Sequence, residues 1–196
     1  MRDERLRQWL DAVLATPGLT SISELEEAWA MLVEDALRAA DVVRSFEGPI
    51  VDVGSGGGSP GIPLAAALPE REVTLLEANA RKVRFLERAA SEFPNVRVIR
   101  GRAEEQETDY YGVATAKALA APPVALEWCL PLIRPGGAVV IWLGPSADVD
   151  KLAIAAERLA GGPPEKRAGL AVVRKLGPTP PGFPRRAGMA RKRPLA

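Results

Sequence analysis

Histidine is absent from the 196-residue chain. That absence removes Ser-His-Asp and Cys-His catalysis, histidine metal ligation and the imidazole general base together. There is one cysteine, Cys129, which excludes an intramolecular disulfide and a thiolate zinc cluster and suits a reducing compartment. We therefore expect no metal. No apolar run reaches the roughly 18–20 residues of a membrane span. The N-terminal MRDERLRQWLDAVL is amphipathic and carries acids, unlike a secretory leader. The expectation is a cytoplasmic monomer with no membrane partner. Apolar residues make up 47% and charged residues 26%, an ordinary globular composition. A chain of this length has room for one domain and a small appendage.

Acid is also missing from one stretch. Residues 166–196 hold nine bases and no acid, net +9, while residues 1–165 hold 25 acids and 17 bases, net −8. A basic end on an acidic body fits a polyanionic partner, the alternative being a solvated tail.

What is present divides into three parts: a helical segment over 1–46, an α/β domain over 47–177 and a Pro-rich basic tail over 178–196. In the first, Leu6, Trp9, Leu10, Val13 and Leu14 recur at helical spacing until Pro17-Gly18. Ser23 and Glu26 form a candidate capping box, which predicts a second helix running to about Val43. From Pro49 the pattern alternates. Strands are predicted at about 49–53, 72–77, 96–100, 112–116 and 137–143, with helices at about 61–68, 79–92, 122–133 and 147–160. Such alternation implies a doubly wound α/β fold with a mostly parallel sheet. The segment PPEKRAGLAVVRKL is a candidate antiparallel pair, and the prolines after Gly177 forbid regular structure.

The segment IVDVGSGGGSPGIP, residues 50–63, carries a strand into a glycine turn and then a helix. This is where an open α/β sheet binds a nucleotide-like ligand, and Gly54, Gly56 and Gly58 let it approach the backbone. Gly56, Gly58 and Gly61 satisfy the dinucleotide spacing, a weak signal alone. Asp52 opposes a pyrophosphate by like charge and favours a cofactor bearing an ammonium and a sulfonium, as in S-adenosylmethionine. Glu77, ending the second predicted strand, is placed to accept ribose hydroxyls. Nicotinamide enzymes use the same device, so Glu77 supports a ribosylated cofactor without choosing between them. Gly101-Arg102-Ala103-Glu104 follows the third strand, where it would line the adenine edge.

Methyl transfer from a sulfonium demands alignment and desolvation above all. Guanine N7 needs no proton removed, which suits a chain without histidine. Arg102 and Lys117, at the ends of strands three and four, are the candidate catalytic residues, placed to orient the base by its O6 or phosphates. Ala121-Pro122-Pro123-Val124 lacks the polar and aromatic members used in adenine amino-group methylation. Cys129 lies in an apolar helix and reads as a core thiol rather than a nucleophile. In the tail, Arg185, Arg186, Arg191, Lys192 and Arg193 are the candidate RNA contacts. Arg81, Lys82, Arg84 and Arg88 would extend that surface or form a solvated helix face.

The sequence resembles the ribosomal RNA small subunit methyltransferase G family, also called glucose-inhibited division protein B. The resemblance rests on DVGSGGGSPGIPLA, LLEANARKVRFLERA, GRAEE, ATAKALA and FPRRAGMARKRPL, in order and spacing. It implies a class I fold, S-adenosylmethionine as methyl donor, and methylation of a guanine N7 in the 530 loop of 16S rRNA in the small ribosomal subunit. By motif, Gly54, Ser59, Ala103, Glu104 and Lys117 would contact the cofactor, Glu77 its ribose, and Lys117 would hold the family's active-site arginine position. Ser59 replaces a bulky apolar residue, Lys117 keeps charge but loses the planar fork, and Leu32 stands where a histidine is usual. These departures bear on the acceptor more than on the cofactor. They leave two alternatives: a non-catalytic RNA-binding module retaining the fold, and a methyltransferase with another RNA substrate.

Overall fold

The computed structural model describes residues 3–196. Short apolar runs bounded by Gly, Pro and Asn become strands: β1 (Ile50–Val53), β2 (Val73–Glu77), β3 (Val96–Arg100), β4 (Tyr111–Ala116), β5 (Ile133–Trp142), β6 (Glu165–Arg167) and β7 (Leu170–Arg174). They form one seven-stranded sheet in the order β3-β2-β1-β4-β5-β7-β6. The first five strands run parallel to one another, and β7 runs antiparallel to both β5 and β6. The predicted antiparallel pair is thus the hairpin β6–β7 at the sheet's far edge.

Helices cover both faces. On one side lie α1 (Glu4–Ala15), the short turns α2 (Leu25–Ala28), α3 (Asp35–Leu37) and α4 (Ala40–Arg44), then α5 (Gly61–Ala67) and α6 (Ala80–Ala90). On the other lie α7 (Pro122–Cys129) and α8 (Val149–Arg158). The central strands are buried on both faces, so they read as continuous apolar runs. Side chains alternate between two cores: Ile50 joins Leu10, Val33 and Leu64, whereas Val51 and Val53 join Leu126, Leu130 and Leu152. Cys129 belongs to the second core and is fully buried.

Three expectations are corrected. The candidate capping box at Ser23 does not form: Ala28 N–H bonds the Glu24 carbonyl, so Glu24 is the N-cap, with no side-chain cap bond. The helix is also not continuous to Val43, because Trp29–Glu34 adopts a π turn and the chain breaks again before α4. Strand β5 starts at Ile133 rather than 137; Ile133 pairs with Tyr111 before a register shift carries Pro135-Gly136 out to solvent.

The basic tail is not unstructured. It forms a short helix, α9 (Met189–Lys192), and packs Leu195 and Ala190 against the body. Upstream, Thr179 Oγ1 donates to Asp109 at 2.9 Å and accepts from the buried Lys175 ammonium at 2.8 Å. Burial pulls the Lys175 pKa down, while Asp109 opposes that shift. Among the described residues no helix is long and apolar enough to cross a membrane.

Candidate active site

In the strand order, β1 lies between β2 and β4, which run on to opposite edges, so the crevice beyond its carboxyl end is the topological switch point. A cavity of about 330 Å³ opens there, within the usual size range of small-molecule sites. Each parallel strand from β1 to β4 contributes at or just beyond its end: Gly54, Glu77, Gly101 and Ala118.

Glu77 ends β2 and is 8% exposed. Its Oε2 accepts the Gly56 N–H at 3.0 Å and its Oε1 the Asn79 N–H at 2.8 Å. Each oxygen retains a lone-pair site, so the carboxylate is fixed by backbone donors yet able to accept from hydroxyls in the cavity. Asn79 also caps α6, its Oδ1 accepting from Arg81 N and Lys82 N. Gly54 lies at φ +71, and a Cβ there would collide with Leu119; only glycine lets the backbone form this wall. Ala103 and Glu104, in a single 3₁₀ turn, and Arg102 line the opposite side. A carboxylate held by backbone donors, a glycine wall and the small side chain of Ala103 are groups that would fit a sulfonium nucleoside.

Other predicted cofactor residues lie behind the cavity rather than in its wall. Asp52 is 1% exposed, and its carboxylate turns under the glycine loop. There it accepts from Thr115 Oγ1 at 3.1 Å and Gly61 N at 3.2 Å, binding β1 to β4 and to the start of α5. Burial pushes its pKa up to about 6, against the lowering effect of the Thr115 hydroxyl. Gly56 spends its N–H on Glu77, while Gly58 N donates to Ser55 O at 2.7 Å. Ser59 Oγ donates to Leu32 O at 2.8 Å and so ties the loop to the π turn instead of reaching a ligand. These four residues shape the site from outside it.

Lys117 follows β4, separated from the cavity-lining Leu119 by Ala118, which lies at φ +53. Its ammonium donates to Asp35 Oδ2 at 2.7 Å and to the Met31 carbonyl of the π turn. Asp35 is braced in turn by Arg38 at 2.6 Å, and Trp142 Nε1 donates to its carbonyl at 3.2 Å. The N-terminal helical segment therefore holds the Lys117 side chain, a contact the periodicity of its apolar residues did not signal.

The five tail bases separate into two groups. Arg185 forms a bidentate pair with the buried Glu127, at 2.5 and 2.6 Å. Arg191 lies over the Trp128 ring, 5.1 Å from its centroid, and donates to Leu119 O at 3.4 Å. Arg186, Lys192 and Arg193 are exposed, with side chains free of hydrogen bonds and ion pairs among the described residues. Gly188, Arg191 and Trp128 also line the cavity, a contact that sequence reasoning missed. The one available signal was Glu127, an acid inside the apolar run PPVALEWCLPLI, which requires a buried partner. Cys129 is the last residue of this helix; its thiol is fully buried in the second core, and burial raises its pKa well above the usual value, which fits a core thiol rather than a nucleophile.

The profile of the rRNA small subunit methyltransferase G (GidB) family matches residues 4–158. The chain is 33% identical to the ribosomal RNA small subunit methyltransferase G of Moorella thermoacetica, covering 91% of this chain and 82% of that protein. It is 35% identical to that of Roseiflexus castenholzii, covering 97% and 87%. In fold it is similar to the crystal structure of tRNA (m1A58) methyltransferase TrmI from Aquifex aeolicus, at 19% identity over 73% of this chain and 68% of that one, with a TM-score of 0.55. The fold is that of the class I S-adenosylmethionine-dependent methyltransferases, and the chain belongs to the rRNA small subunit methyltransferase G family.

Proposed function

We propose that the chain transfers a methyl group from S-adenosylmethionine to N7 of a guanine in the 530 loop of 16S rRNA, acting on the small ribosomal subunit. The observation that carries this reading is the nucleoside-sized cavity lined by Glu77 beyond the end of β1, with Lys117, held by Asp35, next in sequence to the cavity-lining Ala118. The cofactor supplies an electrophilic methyl group when bound. Glu77 accepts the ribose hydroxyls, Gly54 gives the backbone wall, and Ala103 and Glu104 border the adenine.

On the acceptor side, guanine N7 presents an in-plane lone pair and carries no proton. A site without a general base is therefore sufficient, and the remaining demand is orientation. Lys117 and Arg102 supply positive charge for the guanine O6 or an adjacent phosphate. Arg186, Lys192 and Arg193 offer exposed charge for the RNA backbone.

The test is transfer of tritiated methyl groups to small subunits that lack the modification, with the labelled base located by borohydride–aniline cleavage at 7-methylguanine. Label at a single guanine of the 530 loop supports the reading. Label elsewhere points to another RNA substrate. Absence of label with intact RNA binding identifies a non-catalytic module.

A further inference from the structure

The cavity that would hold the cofactor is walled on its outer side by the end of the same segment that carries the free tail bases. Gly188 and Arg191 line it. Three contacts hold the segment there. Arg185 grips Glu127, which is 3% exposed, and its Nη2 also donates to Arg193 O at 2.8 Å, closing the segment into a loop. Gly188 N donates to Glu104 Oε1 at 3.2 Å, joining the tail to the turn that borders the adenine side. Arg191 stacks on Trp128 and bonds Leu119 O, bridging the cavity rim from α7 to the loop after β4.

Beneath the Arg191 guanidinium, the Trp128 indole N–H is buried and has no acceptor. A buried unpaired donor is a cost of the observed arrangement, which interactions with a molecule in the cavity would offset. The opposite side of the segment is all solvent and charge: Arg186, Lys192 and Arg193.

We infer that residues 185–193 are a two-faced closing wall: the inner face (Arg185, Gly188, Arg191) retains the S-adenosyl cofactor, and the outer face meets RNA phosphates. Docking on RNA then stabilises the closed segment, and the cofactor and RNA bind with positive coupling, which is reciprocal. This inference rests on the assignment of the cavity to S-adenosylmethionine.

The experiment measures S-adenosylhomocysteine affinity by calorimetry on the full chain, with hydrogen exchange of residues 185–193 followed with and without that ligand. Arg191→Ala, a change of an exposed side chain, is expected to weaken binding about three- to tenfold, the loss of one hydrogen bond and a stacking contact. Arg185→Met is expected to weaken it tenfold or more; should that variant fold poorly, Arg191→Ala and the exchange data decide. Lys192→Ala/Arg193→Ala is expected to keep S-adenosylhomocysteine affinity within twofold while weakening RNA binding. The ligand is expected to slow exchange across 185–193. If the wild-type chain binds S-adenosylhomocysteine but Arg191→Ala binds it equally well and exchange in the segment is unchanged, the inference is overturned. If the wild-type chain does not bind it, the cavity assignment itself has failed.

Discussion

Lys117, one residue past β4, donates to Asp35 of the N-terminal helical segment at 2.7 Å. The Lys117 ammonium is thus held by an acid from the N-terminal helical segment, with the Met31 carbonyl of the π turn as its second acceptor. π turns displace the regular ladder and free carbonyls for such uses. Lys117→Ala is expected to leave S-adenosylhomocysteine affinity within about twofold and to lower methyl transfer tenfold or more. Asp35→Asn should lower transfer in the same direction but less, because the lysine charge remains. Calorimetry and single-turnover transfer separate the two effects; equal turnover in the lysine variant removes it from the mechanism.

Glu77 lines the cavity, and its carboxylate oxygens retain acceptor capacity after accepting from Gly56 and Asn79. Glu77→Ala removes a charged acceptor for two hydroxyls, each such bond contributing about 1.5–3 kcal/mol. Affinity for S-adenosylhomocysteine should fall at least ~10-fold. Retained affinity in a folded variant would place the ribose elsewhere.

Asp52 makes a prediction about pH. Its folded-state pKa is about 6, against about 3.9 for an unperturbed aspartate. Between those values the folded state binds more protons than the unfolded chain, so stability falls as pH rises through that window. The penalty is complete above pH ~6 and amounts to about 3 kcal/mol. Asp52→Asn should therefore show a flatter dependence of thermal midpoint on pH between about 4 and 6.5 than the wild type. Parallel curves for the two proteins would show that the buried carboxyl titrates normally.

Much of the fold was legible because it follows from period and punctuation. The strands end within a residue or two of expectation where Gly, Asn or Pro stops them, and β2 delivers Glu77 to the cavity as its position implied. The site was legible only in part. Asp52 and Ser59 have the right chemistry for a ligand, yet their side chains turn to Gly61, Thr115 and Leu32, and that orientation is set by tertiary packing. The tail bases all look alike in sequence. Only the placement of Glu127 and Trp128 on α7 divides them into inward and outward sets.

That division sets the expected salt dependence of RNA binding. With Arg185 paired to Glu127 and Arg191 engaged by Trp128 and the Leu119 carbonyl, three tail bases remain free: Arg186, Lys192 and Arg193. If these three meet phosphates, their share of the slope of log affinity against log salt is about −2 to −3. Replacing all three with alanine should reduce the measured slope by that amount. An unchanged slope would move the RNA contact to another surface, the basic helix α6 being the next to test.

The most direct test of the central claim is tritiated methyl transfer to unmodified small ribosomal subunits, run beside Glu77→Ala. The expected result is one methyl per subunit, at N7 of a guanine in the 530 loop, with a rate several-fold lower in the Glu77 variant when S-adenosylmethionine is held near the wild-type Kd. A wild-type rate in the Glu77 variant at that concentration, or no transfer by a wild-type chain that binds both cofactor and subunit, would contradict it.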